Sequence, residues 1–312
     1  MNVWAIVFQL LLLLVLAPLL SGCIKNWKAK LQNRRGPRIW QPYFDLIKFL
    51  GKDMVISEHA SWVFSVAPYV VFLSSLLVGL MVPLVTTPAP LSLFGGALAI
   101  IGLLALGRFF LALAGLDPGS AFGGMGSSRE MTLSALAEPA LMLAIFTVAI
   151  TAGSTDLSRM VGAFQGASLK LVNPAHLMAF AALFIVLLAE TGRVPVDNPA
   201  THLELTMIHE AMLLEYSGRY LALMEWGASI KQLVLMAILV NLFLPVGLAS
   251  DVSAGSLGLA LGVFLLKLFV LSAAVVLVET ANAKLRLFRV PDLLSAAFVL
   301  ATLALLSTFL FQ

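Results

Sequence analysis

Cysteine occurs once in the 312 residues, at Cys23. A single thiol excludes a disulfide framework and any cysteine-built zinc or iron-sulfur site on this chain alone, so redox metal chemistry, where the chain serves it, belongs to partners. Charge is nearly as scarce. Asp, Glu, Lys and Arg make up 11% of the residues, 61% are hydrophobic, and the mean hydropathy is +1.01. No globule of this length hides so much apolar surface from water, which excludes a soluble domain. No Lys or Arg precedes Lys25. The apolar run over residues 3–22 therefore lacks the basic segment that opens a signal peptide, although Leu20-Ser21-Gly22-Cys23 resembles a lipoprotein cleavage site, and it reads as a retained span. Also missing are a Gly-rich phosphate loop, a nucleophile elbow and a catalytic triad, so no residue is assigned to catalysis. Strand-like alternation is absent too, which leaves an all-α bundle.

What is present is a series of apolar runs long enough to cross a bilayer. After the first come runs at about 62–83, 93–114, 133–152, 174–190, 231–249, 257–279 and 291–311, which predicts a polytopic bundle of about eight transmembrane helices in one integral membrane domain, 1–312. The loops on one side, 25–61, 115–132, 191–230 and 280–290, hold 14 Lys and Arg, against two, Arg159 and Lys170, on the other. That asymmetry places the basic loops in the cytoplasm and both termini outside. It also accounts for the net charge of +3 and the pI near 9.1 without nucleic acid. Within the first loop, Tyr43, Ile47 and Leu50 set against Asp45, Lys48 and Lys52 predict a short amphipathic helix at the interface. No repeat of fixed period, direct or inverted, suggests a stand-alone transporter.

Charges inside apolar runs are few, and each costs about 2.5–3.5 kcal/mol at a span centre on insertion scales. Glu190, Glu279 and Asp292 lie close enough to span ends to be wetted, and Pro291-Asp292 also reads as a helix start whose acid complements the dipole. Arg108 is near enough to the end of its run to snorkel. Glu138 and Lys267 resist that account. Pro139 beside Glu138 frees a backbone carbonyl that water can serve, and Lys267, near the centre of its run, calls for an acidic partner or a water-filled path. Buried acids and bases of this kind are parts of proton relays or structural pairs.

The long connection between spans 5 and 6 concentrates the titratable groups. From Ala189 to Trp226 the chain carries six of its sixteen acids, Glu190, Asp197, Glu204, Glu210, Glu215 and Glu225, with Arg193, Arg219 and two of its four histidines, His202 and His209. Asn198-Pro199 breaks what precedes, and residues 201–216 have helical spacing, with Glu204 and Glu215 on one face and His202 and His209 on roughly the opposite one. Seven residues apart, the two histidines are not an i, i+4 zinc pair, so no metal site is predicted.

Three segments, RRGP followed by QPYFDLIKFLGKD, then GLDPGSAFGGMGSSREMTLSALAEPAL, then AETGRVPVDNPATHLELTMIHEAMLLEYSGRYLALMEW, resemble the membrane subunit of group 4 membrane-bound [NiFe] hydrogenases. That family includes formate hydrogenlyase subunit 4 and hydrogenase-4 component C and is homologous to the H-type membrane subunit of respiratory complex I. The resemblance implies a non-catalytic membrane subunit in a prokaryotic inner membrane, with no cofactor of its own. The implied partners are the [NiFe] large subunit, an iron-sulfur small subunit, a ferredoxin-like subunit and antiporter-like membrane subunits, with the [NiFe] centre and iron-sulfur clusters on those partners. Position in the sequence and the resemblance together make proton-path candidates of Arg108, Glu138, Glu190, Asp197, Glu204, Glu210, Glu215, Lys267 and Glu279, the resemblance itself matching Glu190, Asp197, Glu204 and Glu215. In the same way they make a peripheral-arm docking face of Arg34, Arg35, Gly36, Pro37, Gln41, Asp45, Arg193, His202, His209 and Arg219, the resemblance itself matching Arg34, Arg35, Gly36, Pro37 and Arg193. The stretch VDNPATHLELTMIHEA departs from the more acidic, Phe-containing form of the quinone enzymes and so argues against the alternative of a quinone-site subunit. A passive assembly scaffold is the other alternative.

Overall fold

The computed structural model describes residues 3–165, 173–198, 207–249 and 254–310. Ten α-helices occupy them: α1 (Val3–Leu31), α2 (Gln41–Leu50), α3 (Trp62–Met81), α4 (Ala97–Leu116), α5 (Ala121–Ala152), α6 (Leu157–Phe164), α7 (Pro174–Glu190), α8 (Gly218–Phe243), α9 (Ala254–Ala281) and α10 (Val290–Leu310). Among the described residues there is no strand, only two isolated bridges, Thr86 with Ala249 and Gly96 with Asp156. The all-α membrane bundle expected from composition is therefore the observed architecture. Seven helices are long and apolar enough to cross a membrane, and α7 is a further apolar helix of 17 residues.

The most enclosed helix is α8, buried almost continuously from Gln232 to Phe243. It packs against α1, α3 and α7, while α5, α7 and α10 pack on one another and α4 joins α3 to α5. The lipid-facing surface is the expected complement, with Leu259, Leu266, Phe269, Val270 and Leu277 exposed along α9. A short helix, α2, forms where the amphipathic pattern predicts one, though the residue it buries is Leu46 and not Ile47 or Leu50. Pro42 occupies its first turn, Leu46 is buried, the Tyr43 hydroxyl donates to the Val15 carbonyl, and Phe44, Ile47 and Leu50 remain exposed.

Three expected loop boundaries move, because a helix ends where its hydrogen bonds end and not where its apolar run does. Helix α1 continues through the stretch expected as loop from Lys25 and carries Lys25, Lys28 and Lys30 to Leu31. Helix α8 begins at Gly218, well ahead of the expected 231. Helix α5 begins at Ala121 rather than 133, through a Gly-rich stretch that looks like a loop in the sequence. The glycines serve packing there. A Cβ on Gly123 would sit 2.1 Å from the Gly115 carbonyl oxygen, and one on Gly126 would sit 2.8 Å from the Ala211 Cβ, while the Ser120 hydroxyl caps the helix by accepting from Gly123 N–H.

The helix expected over 201–216 is not formed in its described part. Residues 207–216 contain only a 3-10 turn at Glu210–Leu213. Two contacts explain the break in period. The Asp197 carboxylate accepts the backbone N–H groups of Ile208 (3.1 Å) and His209 (3.4 Å), drawing the chain back onto the end of α7. Met212, Leu213 and Tyr216 then bury beside Phe64, Leu111 and Ala114, with the Tyr216 ring stacked on Phe64 and its hydroxyl donating to the Phe64 carbonyl. His202 and Glu204 lie outside the described residues.

Candidate functional site

Four helices bring a row of alternating charges together inside the bundle. Arg108, on α4, donates from Nη1 to Glu138 Oε1 on α5 at 2.7 Å and places Nη2 2.9 Å from Glu190 Oε1 at the end of α7. The other Glu190 oxygen lies 2.7 Å from Lys231 Nζ on α8. The row thus reads Glu138, Arg108, Glu190, Lys231, two negative and two positive. Buried ions are tolerated only when partnered, and the alternation supplies a partner to each. The snorkelling expected of Arg108 and the wetted end expected of Glu190 are both overturned, since both residues are buried. Glu138 is the one member open to the bundle's flank, with 36% of its side chain exposed.

A second group ties the loop after α7 to α1 and α9. Glu279 is buried rather than wetted and accepts from Arg193 Nη1 at 2.9 Å, with Lys28 Nζ 3.0 Å from its other oxygen. Arg193 Nη2 donates to Gln232 Oε1 at 2.9 Å, and the Ser21 hydroxyl reaches the same oxygen at 3.3 Å. Asp197 accepts from Lys284 Nζ at 2.7 Å, and Leu285 N–H donates to the Pro195 carbonyl, so the 191–198 and 280–290 connections are held together. Asp292 stays exposed in the first turn of α10, as its position beside Pro291 suggests.

Above both groups opens a cavity of about 520 Å³ bordered by α1, the loop after it, the end of α7, and α8 and α9. Its wall is charged in both signs, with Lys25, Lys28, Arg193 and Lys231 facing Glu190, Glu210, Glu225 and Glu279. Exposed Arg34 and Arg35 stand at its rim with Gly36 and Pro37. The turn there is fixed by Asn26 Nδ2 donating to the Pro37 carbonyl, and Gly36 is required because a Cβ would meet the Ala29 Cβ at 2.8 Å. Outside the membrane spans, burial and then the nearby Glu225 carboxylate raise the Glu210 pKa. Burial works against a charged His209, but Glu130 and its negative charge outweigh it and raise the imidazole pKa. Among the described residues no three His, Cys, Asp or Glu side chains are grouped so as to hold a metal ion.

Not every predicted residue joins the site. Gln41 donates to Asp45 at 2.9 Å on α2, and Glu215 and Arg219 are exposed beyond the cavity wall. Of the two accounts expected of Lys267, an acidic partner or a water-filled path, the first is not met among the described residues. Its Nζ donates to Asn241 Oδ1 at 3.2 Å, and Asn241 Nδ2 in turn donates to the Pro83 and Leu84 carbonyls just beyond α3. Conversely, Lys28, Glu130, Lys231, Gln232 and Lys284 belong to the site and were not singled out from the sequence. Lys231 opens an apolar run and Lys28 sits in a basic one, and the sequence signals for both are weak.

The NADH dehydrogenase family model matches residues 3–310. This chain belongs to that family. Within it, formate hydrogenlyase subunit 4 of Escherichia coli (strain K12) is 38% identical over 307 residues, covering 98% of this chain and 99% of the relative. Hydrogenase-4 component C of the same organism is 37% identical over 298 residues, 95% of this chain and 92% of the relative. The H-type subunit of NADH-quinone oxidoreductase from Burkholderia vietnamiensis is more distant, at 28% over 263 residues, 77% and 73% of the two chains. A chain of the membrane-bound sulfane sulfur reductase, an archaeal respiratory membrane complex, shares the fold with a TM-score of 0.84 over 97% of this chain and 99% of its own, at 20% identity. The RRGP turn, the Gly-rich start of α5 and the acidic connection that carried the family resemblance all border or buttress the cavity of this family member.

Proposed function

We propose that this chain is the membrane anchor and proton-coupling subunit of a formate hydrogenlyase or hydrogenase-4-type complex in a prokaryotic inner membrane, with both termini on the outer side. The polar cavity and its Arg34-Arg35-Gly36-Pro37 rim form the face that meets a peripheral arm carrying the [NiFe] centre and iron-sulfur clusters. Antiporter-like subunits meet the bundle's flank, where Glu138 is exposed. The observation that supports this reading most directly is the continuous row from the cavity wall at Lys231 through Glu190 and Arg108 to Glu138 at the flank. A charge change at the cavity end alters the proton affinity of each carboxylate in turn. Moving one charge against 100 mV takes about 2.3 kcal/mol, and coupled shifts of about two pKa units supply that. Such shifts lie within the range of buried carboxylates.

The test is the complex purified through this chain and reconstituted in vesicles. Glu190→Gln is expected to keep the complex assembled and to lower protons moved per hydrogen formed. A Glu190→Gln complex that assembles and translocates as the parent does would remove the row from coupling. Because every member of the row is paired, a passive scaffold is the second reading; it predicts loss of assembly with unchanged translocation in whatever complex remains.

A further inference from the structure

The end of the bundle opposite the charged cavity carries a groove of about 760 Å³ between the first three turns of α1, the connection after α3 and the start of α9. Leu84, Val85 and Ala89 are buried beneath it, and Trp4, Phe8 and Leu93 stand exposed at its edge. The connection lies level with the first turns of α1 and is not helical there, so its backbone polar groups must be served from within the protein. Gln9 Nε2 donates to the Val82 carbonyl, Asn241 Nδ2 to those of Pro83 and Leu84, and Ala249 N–H to that of Val85. Thr87 N–H donates to the Ala249 carbonyl, and Pro88 and Pro90 have no N–H to place. The groove is therefore built in advance, and it presents mainly hydrocarbon to an occupant.

At Thr87, Pro88, Ser92 and Leu93 the groove runs into a second depression, of about 630 Å³, whose far wall holds Asp156, Ser158 and Arg159 at the start of α6. This wall carries one charge of each sign. The Arg159 side chain is 79% exposed, and its Nε lies 3.7 Å from Asp156 Oδ2, too long for a hydrogen bond. Asp156 Oδ1 accepts the Ser158 N–H that caps α6, which leaves Oδ2 open to a donor from outside. Exposed Trp4 sets the height, since such rings collect at the boundary between membrane and water.

A hydrocarbon groove that opens at the membrane boundary onto one cation and one anion complements an amphiphile with the same parts. We infer that the two depressions together bind one phospholipid whose headgroup carries a primary amine, of the phosphatidylethanolamine class. An acyl chain lies along α1 in the groove, the phosphate meets the Arg159 guanidinium, and the ammonium donates to Asp156 Oδ2. Arginine suits a phosphate because its planar fork offers parallel donors. The carboxylate selects the head. A phosphatidylglycerol head meets Asp156 as a like charge, and the trimethylated amine of phosphatidylcholine has no N–H for Oδ2. This inference does not depend on the coupling role proposed for the charge row.

The experiment uses the complex purified through this chain in mild detergent. It is incubated with an equal mixture of deuterium-labelled dioleoyl phosphatidylethanolamine, phosphatidylcholine and phosphatidylglycerol, passed through a sizing column, and its labelled lipid per chain is measured by mass spectrometry. The parent is expected to retain a single phosphatidylethanolamine, preferred over each other lipid by about fivefold, the factor that one exposed charged contact supplies. Arg159→Gln is expected to lower that retention by about the same factor. Asp156→Asn keeps the α6 cap and is expected to hold lipid while losing the preference among heads. Ala5→Trp fills the groove and is expected to lower retention of all three lipids. Equal retention of the three by the parent assigns the groove to unselected bilayer lipid and overturns the site. So does a preference left unchanged in both Arg159→Gln and Asp156→Asn, which decide the matter even where Ala5→Trp does not assemble. A parent that takes up no lipid, with a photo-crosslinker at position 8 reaching a neighbouring subunit, assigns the groove to protein and also overturns it.

Discussion

Arg108 and Glu190 meet at 2.9 Å with 2% and 4% of their side chains exposed, one from α4 and the other from the last residue of α7. Neither charge is stable there alone. Removing one partner of a buried pair costs about 3–5 kcal/mol because the other ion is left behind. Arg108→Ala is therefore expected to lower the melting temperature of the purified chain sharply. Glu190 keeps Lys231 at 2.7 Å, so the carboxylate left without a partner is Glu138, and combining Arg108→Ala with Glu138→Gln recovers part of the loss. A thermal unfolding series in mild detergent checks the order, and a double variant no more stable than the single one contradicts the pairing argument.

Asn241 serves three partners at once, two carbonyls past the end of α3 and the Lys267 ammonium. Each buried polar group left unsatisfied costs about 1–3 kcal/mol. Asn241→Leu is expected to destabilise the chain by at least about 2 kcal/mol. Adding Lys267→Met to that variant restores part of the stability, because the stranded ammonium is removed. Chemical denaturation of the two variants side by side measures the difference.

Adjacent glycines at the start of α5 are expected to behave oppositely. Gly123→Ala places a methyl group 2.1 Å from a backbone oxygen that has no room to retreat, whereas a Cβ on Gly124 meets only Leu116 Cδ2 at 4.0 Å. Overpacking of the first kind costs about 1–3 kcal/mol. Replacing a helical Gly that has room for a methyl group by Ala gains up to about 1 kcal/mol. Melting temperatures of the two single variants should therefore move in opposite directions.

The Glu210 pKa is raised above its ordinary value of 4.5, by burial and by Glu225. The folded state then binds this proton more tightly than the unfolded chain does. Stability is highest while the group is protonated in both states, declines as pH rises above 4.5 toward the raised folded value, and levels off beyond it. Glu210→Gln removes this decline. The variant is expected to be more stable than the parent at neutral pH, with the advantage shrinking as pH falls from the raised folded value toward 4.5 and gone below it, which melting curves across that range measure.

Some features are legible in the sequence because they depend on local chemistry. Pro42 and the spacing around it mark α2, Pro291-Asp292 marks the start of α10, and Glu138 and Arg108 stand out as charges in apolar runs. Helical spacing misleads at 207–216, where Asp197 and the Phe64 pocket outweigh periodicity. Glu130 escapes notice because the Gly-rich stretch before it resembles a loop, and the close approach that makes those glycines helical is visible only once Gly115 and Ala211 are in place.

The sequence by itself determined that this protein is a helical membrane bundle with its titratable groups gathered at one connection. Hydropathy is carried residue by residue, and the bilayer reads it along the chain in runs of about 20 residues. Which charges meet was decided only by the tertiary structure. Arg108 finds Glu138 thirty positions away, and Arg193 finds Glu279 eighty-six away. The energy of an ion pair depends on distance in space and on the water excluded around it, and neither quantity is written in the order of residues.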